Sequence, residues 1–240
     1  LRAAEPFKKL TVEELLGRPL NWVEKKNSPS AVYVCGLLDE LVPLRGVRVS
    51  VVGTRRPRHG ERAREIASAL VGRKITVVSG LARGIDTVAH TTAIELGGRT
   101  IAVLGTPLDV YYPPENRELQ LRIMREHLAL SQFPSGTPIT RRNFPMRNRT
   151  MALISHATVV VEAGEDSGVV SQGWECLRLG RLLLIHRSLA RLPWVGSMMR
   201  YGAYFFNSVD EMLDMIMENC PSEDETALEG LPLNLWGLTG

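Results

Sequence analysis

Short runs of β-branched and aliphatic residues recur along the middle of the chain: VRVSVV at 47–52, KITVV at 74–78, TIAVL at 100–104, ATVVVE at 157–162 and RLLLI at 181–185. Each is short and almost wholly apolar, the pattern of a strand buried on both faces of a parallel sheet. Between them the period changes. Residues 60–71 bring Ile66 and Leu70 to one helical face, and residues 115–128 do the same with Leu119 and Ile123. A sixth cycle is predicted from AYFF at 203–206 into a helix at 209–217, with Ser208 as its N-cap. Strand, glycine-bearing turn and helix in repetition predict an α/β fold, a doubly wound and mostly parallel sheet with helices on both faces. The strand C-termini of such a sheet open on one edge, where a ligand site is expected.

The flanks are patterned differently. TVEELLG after Thr11 reads as a short amphipathic helix with Thr11 and Glu14 as a capping box, followed by a link punctuated by Pro and Ser and then by AVYVCG. The expected organisation is an N-terminal appendage at 1–45, the sheet domain at 46–219 and an acidic tail at 220–240. With 240 residues, 44% of them hydrophobic and 23% charged, the chain suits one globular α/β domain, which excludes disorder throughout and fibrous architectures. No apolar run approaches the roughly 18 residues of a membrane span, and the start lacks a signal-like apolar stretch. A cytoplasmic protein without a membrane partner is expected. Cys35, Cys176 and Cys220 are widely spaced and odd in number, so three reduced, packed thiols are expected.

Net charge is only +3, but it is unevenly placed. Residues 45–75 hold nine Lys and Arg against Glu61 and Glu65, and residues 140–150 hold four Arg and no acid. These stretches together carry +11 and the rest of the chain −8. Segregated cations of this kind point to an anion-binding role.

The turns after successive strands carry the chemistry. After the first strand, GTRRPRHGERA offers a glycine turn, the Thr54 hydroxyl, Arg55 and a helix N-terminus suited to phosphate. After the second, SGLARGIDTVAH places Ser79, Gly80 and Gly84 where backbone could approach a ligand, with Asp86 and His90 four apart on the next helix. That pair reads either as an acid/base couple or as an i, i+4 hydrogen bond that stiffens the helix. The proline-rich turn at 104–119 reads as structural. NFPMRNRTMALIS at 143–155 sets Phe144 just before Arg147 and Arg149 at the start of an apolar helix. An aromatic ring beside two guanidiniums suits stacked bases and phosphates of a single strand. Ser167 and Gly168 open a further helix toward the same edge, and Glu162 reads as a ligand-hydroxyl acceptor or an arginine partner. There is no GxGxxG, no GxxxxGK[ST] and no metal-ligand spacing, so no cofactor or metal is expected.

The series GTR at 53–55, SGLARGID with AH at 79–90, GGRTIAVLG at 97–105, YYP at 111–113, FPMRNR at 144–149 and VVVEA with SG at 159–168 resembles, in order, the motifs of the DprA/Smf family of DNA-processing proteins. The likeness runs from about residue 46 to about residue 185. It implies a Rossmann-like domain that binds single-stranded DNA without cleaving it, as a homodimer. It also implies protection of incoming strands and help in loading RecA during transformation or recombination. By motif, Gly53, Thr54, Arg55, Ser79, Gly80, Arg83 and Gly84 would form a phosphate pocket. Phe144, Arg147, Asn148 and Arg149 would line the strand's path, and Ser167 and Gly168 would close the site. Family members often carry a valine-proline-glycine turn where this chain reads LLLIHRS.

Two other readings use the same fold. A phosphoribohydrolase of the cytokinin-activating type would need a PGGxGTxxE motif. GEDSGVVSQGWE lacks the doubled glycine and has Ser171 at the glutamate position, with Glu175 one turn later. A nucleotide sensor would use the pocket for a small ligand and no catalysis.

Overall fold

A computed structural model describes residues 7–165 and 167–220. Its strands, in chain order, are β1 (Lys8–Leu10), β2 (Val32–Gly36), β3 (Arg48–Gly53), β4 (Thr76–Ser79), β5 (Thr100–Leu104), β6 (Leu128–Ser131), β7 (Ala157–Glu162), β8 (Leu182–His186) and β9 (Ala203–Phe206). The helices are α1 (Val12–Leu16), α2 (Trp22–Asn27), α3 (Leu38–Leu41), α4 (Gly60–Gly72), α5 (Ile85–Glu95), α6 (Arg117–Glu126), α7 (Asn143–Ile154), α8 (Val169–Arg178), α9 (Val195–Arg200) and α10 (Val209–Asn219).

All described strands join one sheet in the order β1-β2-β6-β5-β4-β3-β7-β8-β9. The seven strands from β6 to β9 in that order pair in parallel. The architecture is therefore the expected Rossmann-like, doubly wound α/β fold. Alternate residues of the central strands feed two apolar layers. Val49, Val51 and Val77 pack with Ile66, Leu70 and Ile85 on one face. Val52, Val78 and Val160 pack with Met151, Leu153 and Cys176 on the other. Burial on both faces is why these strands read as mostly apolar runs without a polar alternation. From β3 the chain winds outward through β4 and β5 to β6, then returns to place β7 on the other side of β3. The β3/β7 boundary is thus the switch point, and a crevice is expected at its carboxyl end.

The N-terminal segment is part of this sheet rather than an appendage. β2 runs antiparallel to β6, with Gly36 opposite Leu128, and β1 runs antiparallel to β2. Leu15, Leu16, Val32 and Leu44 are buried in the larger core. The Thr11–Glu14 capping box is present: the Glu14 N–H donates to Thr11 Oγ1 at 3.1 Å and the Thr11 N–H to Glu14 Oε2 at 2.7 Å. Glu24, 1% exposed, pairs with Arg18 of the same segment at 2.7 Å and clasps the segment to the domain through Arg181 at 2.5 Å. Burial alone would raise the Glu24 carboxyl, but the bonds from Arg18 and Asn21 and the charge of Arg181 outweigh it and hold it at about 2.

The helix expected over 115–128 ends at Glu126, and Leu128 begins β6 instead. Ser208 caps α10, its Oγ accepting the Glu211 N–H at 3.2 Å. Cys176 and Cys220 are buried free thiols and Cys35 is partly buried. The acidic tail expected beyond Cys220 lies outside the described residues.

Candidate nucleic-acid interface

At the switch point the turns after β3 and β4 are locked together by glycines. A Cβ on Gly53 would stand 2.4 Å from Ile85 Cγ1, and one on Gly84 would stand 2.4 Å from Thr54 O. Gly84 has φ 76°, a left-handed conformation that glycine takes freely. The Ile85 N–H donates to Thr54 O at 3.2 Å and the Thr54 N–H to Glu162 O at 2.7 Å. This packing leaves Arg55 and Arg56 exposed at the carboxyl edge.

α7 supplies the floor. Arg147 is only 7% exposed, and its Nη1 donates to Val103 O at 2.9 Å. Its guanidinium fills the space beside Gly80, where a Cβ would fall 1.6 Å from Nη1. Asp86 lies nearby, its Oδ2 accepting the N–H groups of Gly80 and Ala82, both at 3.2 Å. Burial pushes the Asp86 carboxyl up and the Arg147 guanidinium down, and each charge opposes the other's shift.

Above this floor are two adjoining lobes of about 600 and about 350 Å³. Arg55, Arg56, Ala82, Phe144 and Arg147 line both. The Phe144 ring stands at their common boundary, with the Arg55 guanidinium 6.0 Å from its centroid and the Tyr112 ring 5.6 Å away at 47°. Gly105 makes room for it, since a Cβ there would lie 2.8 Å from Phe144 Cδ1. The larger lobe is completed by Asn148, Ser167, Gly168 and Gln172, the smaller by Arg83, Thr106, Tyr112 and Pro113. Arg83 pairs with Glu115 at the surface.

Of the residues expected at the site, Gly53, Thr54, Arg55, Phe144, Arg147, Asn148, Ser167 and Gly168 line the larger lobe, and Gly80 and Arg83 the smaller. Ser79, Gly84 and Arg149 line neither. Ser79 is fully buried and donates to Val51 O at 2.7 Å. Gly84 meets backbone, not an open cavity. Arg149 turns to Glu175, with Nε to Oε2 at 3.1 Å and Nη2 to Oε1 at 3.2 Å, because an alternate helix position faces α8 rather than the cleft.

Other expectations are corrected. Glu162 accepts the N–H groups of Arg58 and His59, the two residues just before α4, at 2.9 and 3.0 Å, a role that neither reading of Glu162 foresaw. Asp86 and His90 do not bond each other. His90 Nδ1 is 2.7 Å from Thr100 Oγ1, and burial holds its imidazole at about 3. The first basic stretch does not act as one cluster. Arg48 is buried, donating to Ile154 O and Gly46 O at 2.8 and 2.7 Å. Arg73 and Lys74 precede β4 and so lie at the opposite edge of the sheet. The turn at 104–119 is more than structural, since Gly105, Thr106 and Tyr112 line the smaller lobe. YYP offered an aromatic signal that could have drawn attention to it. Among the described residues no group of three His, Cys, Asp or Glu side chains could hold a metal ion.

A cation-floored cleft at the switch point of a doubly wound sheet marks an α/β protein of the class that holds its ligands at the carboxyl ends of the strands. Comparison with known proteins narrows this: the family model for DNA recombination-mediator protein A matches residues 17–216, and the chain belongs to that family. Protein Smf of Synechocystis sp. is 47% identical over 150 residues, 61% of this chain and 38% of that protein. The chain spans 38 to 52% of the first curated relatives it matches. Among solved structures, DNA processing protein A of Streptococcus pneumoniae aligns with a TM-score of 0.74 and 30% identity over 88% of this chain and 74% of that one. DNA processing protein A of Helicobacter pylori, described for its single-stranded DNA binding mode, aligns with a TM-score of 0.71 over 89% and 98%. Its 22% identity makes that likeness one of fold.

Proposed function

We propose that this chain binds single-stranded DNA in the two lobes, as a binding module and not as a nucleotide hydrolase. The observation that carries the reading is the Phe144 ring standing between two lobes that share Arg55, Arg56 and Arg147. One nucleotide needs one phosphate site. Two adjoining lobes with a ring between them suit successive nucleotides, one base stacking on Phe144 while arginines hold the phosphates on either side. Gly53, Thr54, Asn148, Ser167 and Gly168 on this reading contact the strand in the larger lobe, and Gly80 and Arg83 in the smaller. Ser79 and Gly84 act behind the pocket by holding the turns in place.

The hydrolase reading finds little support. Glu175 lines neither lobe and is bound by Arg149 and Arg178 at 3.1 and 3.4 Å. Family membership supports a place in DNA processing, with protection of incoming strands and loading of RecA as the wider role in the cytoplasm. Homodimerisation is supported by Tyr201 and Tyr204, 72% and 53% exposed around the edge strand β9. The rest of the apolar stretch at 192–206 is largely core, including Val195, Met198 and Phe206.

The test is competition of AMP against labelled oligo-dT, with an assay for free base released from nucleoside monophosphates. AMP should compete poorly and no base should appear. Tight AMP binding with weak oligo-dT binding would favour the sensor. Base release lost in Glu175→Gln would establish the hydrolase.

A further inference from the structure

The carboxyl edge of the sheet continues beyond the two lobes. From His186 to Val209 the chain contains no acidic residue, and the first part of this stretch crosses the edge between two fixed points. At one, Ser188 Oγ lies 3.4 Å from Arg62 Nη1 of α4. At the other, the Trp194 indole N–H donates at 3.3 Å to the carbonyl of Gly164, a residue of the larger lobe. Arg187, just before the first point, and Arg191, between the two, are exposed, Trp194 is half-buried, and Arg58 is exposed on the turn that leads into α4.

Three described carboxylates close to this surface have hydrogen-bond or ion-pair partners other than these arginine side chains. Glu162 accepts the Arg58 and His59 N–H groups, Glu61 pairs with His59 at 3.2 Å, and Glu211 accepts from Asn207 at 2.7 Å. Arg187 lies over the Phe205 ring at 4.6 Å and its charge reaches Glu211, as that of Arg62 reaches Glu61, but no described carboxylate lies within ion-pair distance of Arg58, Arg62, Arg187 or Arg191. Glu165, which follows Gly164, is exposed. Guanidiniums on both sides of an edge, none clamped by a carboxylate, with an indole beside the mouth of a cleft, suit a polyanion whose bases can stack.

We propose that a single strand leaving the larger lobe continues over the carboxyl ends of β7 and β8, along Arg58, Arg62, Arg187, Arg191 and Trp194. The inference rests on the single-strand reading of the cleft and extends it to a second run of nucleotides. The cleft sets whether a strand binds, and this track makes affinity grow with strand length.

The test uses the full chain and labelled oligo-dT of about 5 and about 20 nucleotides, lengths below and above what one such cleft holds. The longer strand should bind more tightly. Arg187→Ala with Arg191→Ala should remove most of that gain, lowering long-strand affinity about tenfold or more and its log–log salt slope by about 1.4. Lysine at both positions should restore the slope, and Trp194→Phe should keep affinity that Trp194→Leu loses. A length gain that survives the double alanine variant would overturn the track while leaving the cleft intact. Failure of both oligonucleotides to bind the wild type would overturn both readings.

Discussion

The guanidinium of Arg147 occupies the space that a side chain on Gly80 would need, with Nη1 1.6 Å from the position of that Cβ. Glycine at 80 is therefore a condition for the cationic floor. Gly80→Ala should push Arg147 off Val103 O and destabilise the fold by about 1–3 kcal/mol, as overpacking does. Chemical denaturation measures the loss, and oligo-dT affinity should fall with it. An alanine variant of wild-type stability and affinity would show that Arg147 has another comfortable place.

Phe144 should be the stacking residue. Phe144→Ala is expected to cost about 1–3 kcal/mol of single-strand affinity, while Phe144→Trp should retain most of it. Fluorescence anisotropy with oligo-dT reads both variants. Equal losses in the two would mean that the ring shapes the lobes rather than stacking on a base.

Arg55 and Arg149 should behave differently although both are motif arginines. Arg55 lines both lobes, so Arg55→Ala removes a charge-assisted contact worth roughly 1.5–3 kcal/mol, at least tenfold in affinity. Arg149 is engaged by Glu175 away from the cleft. Arg149→Ala should change affinity by less than about threefold, in keeping with a partly exposed ion pair. The reverse ranking in a binding assay would contradict the geometry.

Stability should fall as pH drops from about 6.5 toward 3. Burial holds the imidazoles of His90 and His156 at about 3, and the charges of Arg48 and Arg181 add to the effect at His156. The unfolded chain takes up these protons near pH 6.5 and the folded one does not. Each such histidine therefore contributes stability that is complete above about 6.5 and is lost at up to about 1.4 kcal/mol per unit below it. Asp86, raised by burial, titrates in the opposite sense. The slope of unfolding free energy between pH 6 and 4 should be shallower in His156→Gln, about one proton's worth. An unchanged slope would place the His156 imidazole in solvent.

The winding of the sheet is legible in the sequence because β3, β4, β5, β7 and β8 are buried on both faces and carry mostly apolar side chains. β6 is not, since its four residues follow α6 after a single histidine and no breaker marks the change of period. Without β6 in view, AVYVCG has no visible partner, and β2 is hidden with it. At the site, the motif turns could be located because strand ends and glycines mark them. What each side chain does there depends on distant partners. Arg147 is held by Val103 and Gly80, Glu162 by the backbone at Arg58 and His59, and Arg149 by Glu175. None of these pairings has a local signature, so arginines of one motif read alike although one is a buried floor and the other an ion-paired helix residue.

The central claim is that the cleft holds unpaired nucleic acid through phosphates and a stacked base. Competition between oligo-dT and duplex DNA of equal length, repeated across salt concentrations, tests it most directly. The account predicts that the single strand wins and that a strand short enough to fill only the cleft has a log–log salt slope of roughly −3, from about four arginine contacts at about −0.7 each. Equal affinity for the two forms, or a slope near zero, would contradict it.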